Sequence, residues 1–97
     1  MADIDTAATQ RAVLMDIEYN ARLLKNHLES LKRDADRALD LISNGLTPDL
    51  HGFGPIGHQA PFDVATTSAK LMQLFTTARM LQIDPLEIQA AYEEGTK

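Results

Sequence analysis

The residues LMDIEYNARLLKNHLESLKRDADRALDLI, positions 14–42, decide the fold. Within them Leu14, Ile17, Ala21, Leu24, Leu28, Leu31, Ala35, Ala38 and Ile42 recur at alternating steps of three and four over four unbroken heptads. An apolar period of 3.5 keeps one stripe of a supercoiled helix against a partner running alongside it. The stretch therefore predicts a long, coiled-coil-like helix with these nine residues as its seam. On the other faces Glu18 and Arg22, Glu29 and Arg33, and Lys32 and Asp36 set opposite charges four apart, each pair adding about 0.3 kcal/mol to helix stability. Upstream, Asp5 or Thr6 supplies a capping side chain, and downstream Ser43-Asn44-Gly45 supplies a left-handed stop. The predicted helix covers about 5–43 and, at ~1.5 Å per residue, is roughly 58 Å long.

Beyond it, residues 45–61 gather most of the glycines and prolines and two of the histidines, so this stretch reads as an aperiodic connection, long for one between helices. Val64, Thr67, Leu71, Leu74, Ala78 and Leu81 restore the helical rhythm over about 62–82. Beside them a second stripe of Ala65, Ala69, Met72 and Phe75 widens the apolar face past what one neighbour covers. Asp84-Pro85-Leu86-Glu87 is a helix start, with a capping acid, an early proline and an acid three residues on, and it opens a short helix over about 85–94 that ends near Gly95. The chain reads as one all-α domain: a long helix, a shorter antiparallel helix and a short C-terminal helix. The second helix spans only about 31 Å, so a length of seam is left over. That mismatch points to homo-oligomerisation, with an antiparallel dimer completing a four-helix bundle. Ala21, Ala35 and Ala38 in the seam let a helix approach closely.

A hydrophobic share of 44% with 24% charged residues belongs to a folded protein. The absence of cysteine removes disulfides and thiolate metal sites as stabilisers. Acids at Asp3 and Asp5 stand where a secretory signal carries basic residues, and no run approaches the ~20 apolar residues of a membrane span. A cytoplasmic location and no membrane association are the expectations. The net charge of −5 is scattered: six basic and six acidic residues balance over 11–40. The remaining acids are scattered, those at helix starts serving as caps and dipole partners, and they form no phosphate-like track.

Candidate sites are few. Gly52-Phe53-Gly54-Pro55-Ile56-Gly57 spells a GxGxxG string, but no strand precedes it and Pro55 removes a backbone donor. A ligand reading of that loop uses His51, Gly52, Gly54, Gly57 and His58 at a subunit interface, with Arg79 as a phosphate partner. His51, His58, Asp49 and Asp63 match no metal-ligand spacing, so no metal or cofactor is expected. Residues 77–88 have a helix-turn-helix look, yet Glu87, Glu93 and Glu94 on the last helix would be repelled by phosphates, which argues against nucleic acid. An all-helical nucleotide pyrophosphatase resembles the chain only in outline, because the second helix offers only Asp63 toward an acidic metal cluster. Ser30, Ser43 and Ser68 have no histidine spaced to act as base. The residues thus lead to a non-enzymatic, self-associating helical protein that binds another protein. It would suit a small acidic adaptor or inhibitor, including one of viral or mobile-element origin. The alternative is a small-molecule or nucleotide-sequestering protein built on the glycine-rich loop.

Overall fold

No glycine or proline interrupts residues 2–44, so nothing in the backbone chemistry stops a helix begun near the N-terminus. The computed structural model describes residues 2–45 and 59–97, with side chains over 6–45 and 61–97. In it α1 runs Ala2–Ser43, α2 runs Gln59–Met80 and α3 runs Pro85–Thr96. The described residues form these three helices and no strand. The molecule measures 65 × 21 × 14 Å, and its long axis is α1. Of the three predicted charge pairs, Glu18–Arg22 and Lys32–Asp36 form at 3.6 and 3.8 Å. Arg33 turns instead to Ser30, donating to its Oγ at 3.2 Å.

The helix ends are local chemistry. Gly45 ends α1 in the left-handed region at φ 78°, its N–H donating to the Ile42 carbonyl. α2 starts at Gln59, earlier than the apolar rhythm suggests, because Pro61 is tolerated in a first turn whose N–H groups have no intrahelical partner. It ends in a Schellman motif: the Ile83 N–H donates to the Ala78 carbonyl at 3.1 Å, and the Gln82 N–H to the Arg79 carbonyl at 3.0 Å. Gln82 occupies the left-handed position, φ 61°, that glycine usually fills. Asp84 then caps α3, its Oδ1 accepting from the Leu86 N–H at 2.9 Å.

Two tethers show that α2 runs antiparallel to α1. Gln10 Nε2 donates to the Leu81 carbonyl at 2.7 Å, and His27 Nδ1 lies 3.8 Å from Asp63 Oδ2. α3 turns back and runs with α1. Ile83 joins the core beside Val13 and Ile17, while Gly95 rests on Glu18 and Ala21. A Cβ on Gly95 would meet the Glu18 carbonyl oxygen and lie 2.7 Å from the Ala21 Cβ. The crossing is that close because both helices present their smallest residues there. Ala21 does allow the close approach expected of it, and the helix that approaches is the chain's own α3.

The core consists of Val13, Ile17, Leu71, Leu74, Ala78 and Ile83, with Leu14, Leu24, Phe75, Leu81, Ile88, Ala91 and Tyr92 partly buried against it. Leu14, Ile17, Ala21 and Leu24 of the seam are thus used within the chain. Farther along, Leu31 and Ala35 are half-buried and Ala38 is buried, while Leu28 and Ile42 stand 46% and 54% exposed. Among the described residues no helix is long and apolar enough to cross a membrane.

Candidate functional site

Both α2 and α3 lie on α1, and they touch one another sparingly. On an α-helix successive residues advance about 100°. α1 is tied to α2 and its C-terminal turn through Gln10 and His27, and meets α3 through Glu18 and Ala21. On that wheel the two contact faces lie roughly a right angle apart. Three helices so placed occupy three corners of a four-helix bundle and leave the fourth open.

The open corner is a groove. Near the α2–α3 turn it forms a cleft of about 310 Å³ lined by Phe75, Arg79, Pro85, Ile88, Gln89 and Tyr92. Farther along it continues as a hollow of about 290 Å³ among Leu24, Ser68, Leu71, Met72, Phe75 and Tyr92. The Phe75 and Tyr92 rings, 5.9 Å between centroids and tilted at 57°, cross the floor between the two parts, a geometry that aromatic quadrupoles favour. Past the end of α3 a third hollow opens around Leu28, Lys25 and Lys32. That is why this seam leucine stands exposed: α3 is too short to reach it.

α2 carries more apolar surface than the core uses. Thr67, Leu71, Leu74 and Ala78 face inward and are buried. On the opposite side Phe62, Met72 and Met80 are 64%, 62% and 78% exposed, with Ala65 and Ala69 between them also exposed. No charged residue stands among these five; Lys70 and Arg79 lie at the flanks. A helix apolar on both faces belongs in the interior of an assembly.

The other candidate chemistry is sparse. His51, Gly52, Gly54, Gly57 and His58 lie outside the described residues. Arg79 lies twenty residues along α2 from Gln59, about 30 Å, at the end of α2 away from that loop. Among the described residues no three histidines, cysteines or acids gather as metal ligands. His27 is engaged with Asp63, and Ser30 accepts from Arg33. Glu87, Glu93 and Glu94 are exposed on α3. Glu94 is held below the usual carboxylate range by its hydrogen bond and charge contact with Lys97, 2.7 Å away.

Phe75 and Tyr92 pack against the core and also line the groove, while Met72 stands 62% exposed at its edge. The available signal was the second stripe on α2. Gly95 reads as a helix stop; its pairing with Ala91 four residues earlier, small next to small, was the sign of a close crossing. Known protein families, curated proteins and solved structures were all compared with the chain, and none matches it.

Proposed function

We propose that this chain is a non-enzymatic helical interaction protein, an adaptor or inhibitor that works as a homodimer and binds another protein. The observation that carries the reading is the bare outer face of α2, where Phe62, Ala65, Ala69, Met72 and Met80 are exposed around Thr76. Left in water, such a face forgoes about 25 cal/mol for each Å² that a neighbour would cover. The groups present on the described helices suit apolar recognition, with no nucleophile set against a base.

Sedimentation velocity over a concentration series tests the reading. Two chains per particle at micromolar concentration is the expected result; a monomer throughout would overturn it. The nucleotide-binding alternative places its site at the subunit interface, with Arg79 as the phosphate partner.

A further inference from the structure

We infer that the groove between α2 and α3 is the seat of α2 from a second copy of this chain, and that each copy inserts its α2 into the other's groove. The inference rests on the self-association proposed above and adds the surface and the register.

Three observations select this occupant. The first is shape: the groove is the empty corner of a bundle, and it is lined by Phe75, Ile88 and Tyr92, with Arg79 and Gln89 beside them and Met72 at its edge. The second is the distribution of apolar residues on α2. A helix seated there is touched from three sides: by its own α1, by the partner's α2 and by the partner's α3. α2 is the described helix with apolar residues for all three, since Phe62, Ala69 and Met80 lie beyond the reach of its own neighbours. The third is area. One face of a 22-residue helix covers on the order of 300–400 Å², about half of the ~800 Å² per partner that a stable interface buries. Packing α2 on α2 alone falls short; seating each in the other's groove adds the α3 wall twice and reaches that scale.

Charge sets the direction. In a parallel pair Arg79 would lie beside Arg79 of the partner subunit, whereas Lys70, near the middle of the helix, meets its counterpart in either direction and does not discriminate. In the antiparallel pair the two arginines are about 24 Å apart, well past the ~8 Å screening length of physiological salt. Centred near residue 71, the antiparallel register sets bulky Phe62 against Met80 of the partner subunit and small Ala69 against Met72 of the partner subunit. Ala65 then comes level with the partner subunit's Gln89.

The chain has no cysteine, so single introduced thiols report proximity without background. A disulfide forms only when the two Cα atoms lie within about 4.4–6.8 Å. The experiment oxidises dilute Met72→Cys alone, Leu39→Cys alone, and a mixture of Ala65→Cys with Gln89→Cys, after circular dichroism shows unchanged helicity for each. Most of the Met72→Cys chain is expected to convert to a disulfide dimer. The mixture is expected to give the 65-to-89 heterodimer at several times the yield of either homodimer, and Leu39→Cys is expected to stay monomeric on a non-reducing gel. Cross-linking at Met72 without the 65-to-89 product would mean face-to-face α2 packing and would overturn the groove. Cross-linking at Leu39 in place of Met72 would place the interface on α1 and overturn it as well. Both outcomes leave self-association standing, whereas a wild-type monomer in the sedimentation run removes both readings.

Discussion

Gln82 holds a left-handed backbone with a side chain that such a backbone disfavours. Gln82→Gly should raise stability by about 1 kcal/mol, seen as a thermal midpoint higher by about 4–8 °C for a domain of this size. Gly95→Ala should act the other way. Alanine is the better helix former by about 1 kcal/mol, but its methyl group would sit on the Glu18 carbonyl and the Ala21 Cβ. A net loss of about 1–2 kcal/mol is expected, with amide shifts concentrated at residues 18–21. A gain in stability would show that α3 is not held at that crossing. Lys97→Met should let the Glu94 carboxyl rise toward the usual range, measurable by NMR titration. Because Lys97 holds that group low, its contribution is present above the usual carboxylate range and fades as pH falls; both side chains are exposed, so the midpoint should hardly move. Gly45 and Asp84 were legible because a cap is written in the residue itself and its neighbours. Gln82 was not, since Ile83 and Ala78 impose its conformation by closing the Schellman bonds and joining one core. Gly95 was read by its local habit of ending helices, while its tertiary role depends on Ala21, 74 positions away in sequence.

Leu71 and Met72 are neighbours in α2 that serve different masters, one 3% and the other 62% exposed. Leu71→Ala should cost about 2–5 kcal/mol whatever the protein concentration, as expected for a cavity in a packed core. Met72→Glu should leave a single chain within about 0.5 kcal/mol of wild type. In an α2-centred dimer it should also abolish the concentration dependence of the thermal midpoint. Calorimetry at two concentrations separates the two effects. Heptad spacing in α1 and the +3/+4 rhythm in α2 made the helices and their inward faces readable, because periodicity is a property of one helix. Which neighbour meets which face was not readable. Leu14, Ile17, Ala21 and Leu24 share their stripe with Leu28 and Ile42, yet the first four are used inside the chain and the last two are exposed. Leu28 is left exposed because it lies past the end of α3, a matter of length and turn geometry.

Among the described helices, both shorter ones pack beside residues 10–28 of α1. A dimer joined through apolar α2 residues, with Arg79 the one cation lining the groove, should change little with salt, since screening acts on charges and leaves apolar burial in place. Sedimentation at low and high sodium chloride should return the same mass. Dissociation at high salt would point to an interface built on the lysines and arginines of α1. The all-helical architecture followed from the sequence through element lengths and caps. The open fourth corner did not, because it depends on the angle between two contact faces of α1, and that angle appears only once α3 has turned back along it.

The exposed tip of α1, where Leu39 and Ile42 stand 60% and 54% exposed, takes on another meaning in an antiparallel pair. The two tips then leave the joined centre in opposite directions, and the particle becomes a double-ended connector offering the same sticky end twice. Anything captured at one end is held at a fixed reach from whatever is captured at the other. A partner that is itself repeated, such as a filament or a ring, would be gripped by two modest contacts acting as one strong one.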